Sequence, residues 1–170
     1  MPKTNTAKLL VEQAISQLQT TSAALAALKQ EMQSLAASLP EYPVVMGMFG
    51  VGPTLGPQLI AEIGDVRRFH SKKALVAFAG IDAPPYQSGQ IDVRSRSISK
   101  RGSASLRRTL FLVMGVILQH APMNEPVYQF MNKKRSEGKP YRVYMIASAN
   151  KFLRIYYASV KAYLDSLEHD

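Results

Sequence analysis

Apolar side chains recur at helical intervals through residues 1–40, and neither proline nor glycine interrupts the chain between Thr6 and Ala37. The mostly apolar positions fall in two series with a spacing of seven, which are Val11, Leu18, Leu25 and Met32, and Ala14, Thr21, Leu28 and Leu35. Such heptads are typical of a coiled coil, so we predict one long helix that serves as a dimerisation arm. The alternative is an amphipathic helix that folds back onto its own domain.

Residues 41–170 alternate apolar segments of helical period with turn signals, which predicts one compact helical domain. Ser71 and Ser103 each precede such a segment and are expected to cap helices. A last long helix places apolar residues on one side, among them Ile146, Ala149, Leu153, Tyr156 and Val160. The fold class is therefore mainly α, and the stretch 81–102 is expected to form a polar loop that carries the active site.

Residues 43–64 hold two apolar stretches that are joined by Gly50-Val51-Gly52. This arrangement is similar to a helix-hairpin-helix element, in which glycines permit a tight turn and the second helix presents backbone N–H groups to a phosphate. The alternative is that Gly50 and Gly52 only allow close packing of helices.

The net charge of the chain indicates which class of molecule it binds. The chain has 21 Lys and Arg residues against 12 Asp and Glu, a net charge of +9 and a pI near 9.9, which favours nucleic acid. Without cysteine there are neither disulfides nor thiolate metal sites, and no apolar run is long enough to span a membrane. We therefore expect a cytoplasmic protein without membrane contact.

A dense cationic run lies in the segment 85–108, where Asp92 is the one acidic residue. Its cations are Arg94, Arg96, Lys100, Arg101, Arg107 and Arg108. Hydroxyl groups beside clustered guanidinium groups suit nucleophilic attack on a phosphodiester, and the candidates are Ser88, Ser95, Ser97, Ser99 and Ser103. Residue chemistry alone does not choose among them, although Gly89 leaves the approach to Ser88 open.

Other catalytic chemistries find no support in the pattern. The acidic residues are scattered without metal-ligand spacing, so no metal site is expected. The three histidines, His70, His120 and His169, are isolated from one another, and the Gly50 turn lacks the lysine of a nucleotide-binding loop. A serine is the remaining candidate nucleophile.

Three stretches together resemble the one-ten family of insertion-sequence transposases. They are MFGVGPTLGPQLIAEIGDVRRF, HSKKALVAFAGIDAPPYQSGQ and RSRSISKRGSASLRRTL, and Phe49 stands where that family usually has proline. The resemblance covers nearly the whole chain and identifies residues 41–170 as the family's carboxy-terminal serine domain.

The resemblance implies a recombinase that cleaves and rejoins DNA through a phosphoserine intermediate. Carried onto this chain, the nucleophile is Ser88 of Tyr86-Gln87-Ser88-Gly89. The residues expected to support it are Gly89, Arg94, Arg96 and Lys100. Nucleic-acid contacts are expected from Gly50, Gly52, Lys72, Lys73, Arg101, Arg107 and Arg108.

The family also implies partners and a further domain. We expect DNA, a guide (bridge) RNA and a homodimer or higher oligomer. Family members carry an amino-terminal RuvC-like domain that binds magnesium. We expect no such domain and therefore no cofactor in this chain, and we expect the chain to be a fragment of a nucleoid-associated bacterial protein. The alternative function is a noncatalytic module for DNA or RNA binding and dimerisation.

Overall fold

The computed structural model of the protein describes residues 5–83 and 97–169, and within these ranges it contains seven α-helices and one short 3-10 turn. The helices are α1 (Asn5–Ala37), α2 (Tyr42–Met46), α3 (Leu55–Ile63), α4 (Lys72–Phe78), α5 (Ala104–His120), α6 (Pro126–Ser136) and α7 (Tyr141–Leu167). The 3-10 turn spans Val66–Arg68. The prediction of a mainly helical fold with a long first helix is confirmed.

All of helix α1 except its end, which contacts α2 and α3, stands away from the other described helices. Its 33 residues extend about 50 Å, and Ala36 at its end is the buried residue. Residues 5–32 are all exposed, including the heptad positions Leu18 and Leu25. Helix α1 therefore does not fold back onto its own domain.

Helices α5 and α7 run through the centre of the compact domain. Side chains of α5 such as Leu110 and Met114 are fully buried, and so are Met145 and Leu153 of α7. Helix α3 packs on α5, whereas α4 and α6 both pack on α7. The apolar stripes that the sequence shows on α5 and α7 thus meet in one core.

Polar side chains begin three of these helices. Ser71 Oγ accepts a hydrogen bond from Ala74 N at 3.2 Å, and Ser103 Oγ accepts one from Leu106 N at 3.1 Å. Glu125 caps α6 in the same way. Each such bond satisfies a backbone donor at a helix start and stabilises the helix by about 1 kcal/mol. The two predicted serine caps are confirmed.

Candidate functional site

The two ends of the polar loop are held together by main-chain hydrogen bonds. Ser99 N donates to Asp82 O at 2.8 Å, and Lys100 N donates to Gly80 O at 3.1 Å. We call residues 80–83 and 97–103 the loop stem. The chain between its two halves, 84–96, lies outside the described residues, and with it the predicted site residues Ser88, Gly89, Arg94 and Arg96.

The loop stem closes on α4 so tightly that only glycine fits at one position. A Cβ on Gly102 would overlap the carbonyl oxygen of Phe78 and lie 2.7 Å from Gly80 N. Gly80 itself has φ +65°, a conformation that side chains rarely adopt. The close approach also lets Ser103 N donate to Phe78 O at 2.6 Å. The end of α4 and the start of α5 are thereby fixed against each other.

Two of the candidate nucleophiles donate hydrogen bonds to carboxylates. Ser99 Oγ donates to Asp82 Oδ1 at 2.5 Å, which adds a side-chain link between the two halves of the loop stem. Ser103 Oγ donates to Glu62 Oε2 at 3.0 Å while it also caps α5. Both hydroxyls therefore have structural partners, whereas Ser97 is exposed.

Arg107 points into the protein rather than away from it. Its Nη1 donates to Ala79 O at 3.0 Å and lies 3.4 Å from Ser103 O. The guanidinium group thus satisfies carbonyls at the end of α4 and braces the loop stem. The sequence grouped Arg107 with the cations expected to meet nucleic acid; its geometry also gives it this bracing contact.

The other predicted cations of this region are exposed. Lys100, Arg101 and Arg108 lie at or beside the loop stem, and Lys72 and Lys73 begin α4. Lys100 has φ +55°, which turns the chain sharply before Gly102. Since the exposed Lys100, Arg101 and Arg108 lie where the loop joins the domain, an anionic polymer would meet positive charge there.

The glycine turn between α2 and α3 packs on the core at one glycine and is open at the other. Gly50 has φ +81°, and a Cβ there would lie 2.9 Å from Ile117 Cγ1 on α5. A Cβ on Gly52 would meet nothing within 4 Å. Gly50 therefore allows close packing on α5, and the phosphate contacts predicted for Gly50 and Gly52 stay predictions, as does the helix-hairpin-helix assignment.

Two kinds of site have no counterpart in the part of the chain that the structure describes. No three His, Asp or Glu side chains come together there in a group that could hold a metal ion. None of the helices in the same ranges combines the length and apolar character that crossing a membrane requires.

Comparison with known proteins places these residues in a family. Residues 42–129 match the family described as "Transposase IS116/IS110/IS902 family", and this range includes the glycine turn, the loop stem and Ser88.

Two curated relatives illustrate the similarity. The chain is 33% identical to the pilin gene-inverting protein of Moraxella bovis over 113 residues, and this alignment covers 66% of the chain and 34% of that protein. It is 28% identical over 130 residues to the transposase for insertion sequence element IS1111A of Coxiella burnetii, covering 76% of this chain and 35% of the relative. The chain therefore spans about a third of the length of these curated relatives.

Proposed function

The chain belongs to the IS116/IS110/IS902 transposase family, and from that premise we propose that it cleaves and rejoins DNA through a covalent bond to Ser88. The observation that carries the proposal is the position of Ser88. It falls inside the matched residues 42–129, on the segment whose two ends the loop stem holds together. A nucleophile must be held in position, because even a small displacement lowers the rate of the reaction.

The proposed reaction is a transesterification. Ser88 Oγ attacks the phosphorus atom of a phosphodiester, one bridging P–O bond breaks, and the leaving strand oxygen takes up a proton as the serine hydroxyl loses one. One phosphoester replaces another, so rejoining by the reverse attack needs no nucleotide cofactor. Arg94, Arg96 and Lys100 are proposed to neutralise charge on the phosphorane-like transition state, with Gly89 leaving the approach free.

The cap bond of α5 favours Ser88 over Ser103 as the nucleophile. Ser103 Oγ accepts a hydrogen bond from Leu106 N, and attack on phosphorus would weaken this cap at the start of α5. Ser99 and Ser103 also donate to Asp82 and Glu62, and these bonds are compatible with attack because a carboxylate can take up the proton of the hydroxyl.

The proposal includes partners. DNA and a guide RNA are proposed to meet the exposed cations Lys72, Lys73, Arg101 and Arg108. We also propose that two copies pair through α1, since its apolar heptad positions are exposed along the length of the helix. Pairing would bring two Ser88 hydroxyls to one recombination event, as exchange of strands requires.

The test is a search for the covalent intermediate. The complete transposase gene that contains this chain is expressed with its element, and protein–DNA adducts that survive denaturation are mapped by mass spectrometry. We expect a phosphoester on Ser88, and we expect Ser88→Ala to abolish both adduct and excision. Ser97→Ala is the matched control, because Ser97 is an exposed serine close to the same cations.

Excision at the normal rate by the Ser88→Ala protein would overturn the assignment. Binding that salt fully reverses, with no adduct in any variant, would instead support the noncatalytic module for DNA or RNA binding, for which the net charge of +9 is the favouring observation.

A further inference from the structure

A cleft of about 660 Å³ lies between α6, α7 and the loop stem. Ile98 of the loop stem, Phe130 of α6 and Ile146 of α7 form part of its apolar lining. Each of these three side chains is only half-buried, so the apolar surface remains accessible. The volume falls in the range of about 300–1,000 Å³ that is usual for pockets that hold small organic groups.

Cations stand beside this apolar surface. Lys151 and Arg154 of α7 line the cleft, and Lys151 Nζ lies 5.1 Å from the centre of the Phe130 ring. Asn150 Oδ1 accepts a hydrogen bond from Arg154 Nε at 2.7 Å, which orients the guanidinium group. None of the described lining residues is acidic, so no carboxylate among them offsets the positive charge of Lys151 and Arg154.

A second lysine near the Phe130 ring is already paired with a carboxylate. Lys134 Nζ lies 5.7 Å from the centre of the Phe130 ring, but it donates to Glu137 Oε2 at 2.7 Å. This hydrogen bond lowers the pKa of the Glu137 carboxyl, so the pair stays ionised and neutral overall. The cations left for a ligand are Lys151 and Arg154.

An apolar, aromatic floor next to two cations without an acidic partner among the described residues matches the two halves of a nucleotide. An aromatic ring stacks on any base, and ammonium or guanidinium groups bind the phosphate. A base inside a duplex has both faces covered by its neighbours, so only an unpaired base can place a face against Phe130. A protein segment would need an acidic side chain to satisfy the same two cations.

We infer that this cleft binds an unpaired DNA nucleotide, whose base takes the place of the Lys151 ammonium over the Phe130 ring and whose phosphate is held by Lys151 and Arg154. The inference rests on the proposed function for its choice of DNA. Because Ile98 belongs to the loop stem, the bound nucleotide would lie beside one end of the described part of the loop. The cleft would thus hold a strand that has left the duplex next to the loop stem.

Fluorescence anisotropy of the 170-residue chain with labelled oligonucleotides tests the inference. The probes are a single-stranded DNA, the same strand made abasic, and a blunt duplex. We expect the intact single strand to bind more tightly than the abasic strand, and Phe130→Ala to weaken binding of the intact strand by about fivefold to hundredfold. Phe130→Leu keeps apolar bulk at the site, so it serves as the second variant where the alanine protein does not fold.

The charge at the cleft has its own test. Lys151→Gln is expected to reduce the slope of log affinity against log salt by about 0.7, the value for one phosphate contact on a single strand. Lys133→Gln on the exposed side of α6 is the matched control and is expected to leave the preference for intact over abasic DNA unchanged.

Equal affinity of the wild-type chain for intact and abasic strands would overturn the inference, and so would unchanged binding by a folded Phe130 variant or tighter binding of the duplex. The result is separable from that for the proposed function. Ser88→Ala should retain the preference for intact over abasic DNA, so binding at the cleft can be measured in a chain that forms no adduct.

Discussion

Helices α1 and α7 have similar sequence patterns and opposite surroundings. Both are long, with 33 and 27 residues, and both repeat apolar positions at helical spacing. Helix α7 buries nine of its residues in the core, whereas α1 buries Ala36 alone. Periodicity therefore predicts a helix and the face that seeks burial, but it does not say which molecule or domain covers that face.

The difference implies that substitutions of apolar residues should affect folding in the compact domain and association with another molecule in α1. The buried side chains of the compact domain are closely packed, so adding or removing one methyl group changes the free energy of unfolding. On α1 the same change should leave the folded chain untouched and alter only association with another molecule.

The largest effect is expected at Gly102. Alanine there would place its Cβ against the carbonyl of Phe78, and both partners belong to the main chain, which moves only if the loop stem opens. We expect Gly102→Ala to abolish cooperative folding of the compact domain or to lower its melting temperature by at least 10 °C, which thermal unfolding followed by circular dichroism measures.

Gly115 in the middle of α5 provides the control for Gly102. A Cβ at this position would meet nothing within 4 Å, so Gly115→Ala should stabilise the protein by about 0.5–1 kcal/mol through the better helix propensity of alanine. Equal melting temperatures for the two alanine proteins would show that the loop stem is not closed on α4 as described.

A smaller but clear contrast is expected between leucines of the two helices. Leu153 of α7 is fully buried, so Leu153→Ala should lower the free energy of unfolding by about 2–5 kcal/mol. Leu28 of α1 is 63% exposed, and Leu28→Ala should change the unfolding of the compact domain by less than about 0.5 kcal/mol. Urea denaturation at low protein concentration measures both, and a comparable loss for Leu28→Ala would mean that α1 packs on its own domain.

Local features of the fold could be predicted from the sequence because their causes are local. A helix cap depends on a hydroxyl and the next few residues, which is why Ser71 and Ser103 were identifiable. The requirement for glycine at position 102 depends on Phe78, far away in the chain, and no spacing rule brings the two together. The same is true of the cleft, where Ile98 and Lys151 meet only after folding.

The candidate site likewise combines features that the sequence predicts with features that depend on folding. The concentration of positive charge around the loop is a property of composition, and the exposed Lys100, Arg101 and Arg108 agree with it. Arg107 has the same side-chain chemistry as Arg108, yet it is turned inward to Ala79 O because it follows Ser103 by one helical turn. Family resemblance selects Ser88, since its residue-level difference from nearby serines is limited to the open approach beside Gly89.

The smallest effect on the folded domain is expected from substitutions in the α1 seam, which test whether the exposed heptad positions pair two copies. Replacing Leu18 and Leu25 by serine removes two seam residues from each copy, and these leucines are 68% and 52% exposed in the single chain. If both are buried in a dimer, four leucines are lost per dimer at roughly 1.5–3 kcal/mol each, so the dissociation constant should rise by at least about 10⁴-fold. Ala23→Ser with Gln30→Ser has a comparable helix-propensity effect on the opposite face and should leave association unchanged. Sedimentation equilibrium measures both, and identical association of the two double variants would mean that the seam of α1 does not hold two copies together.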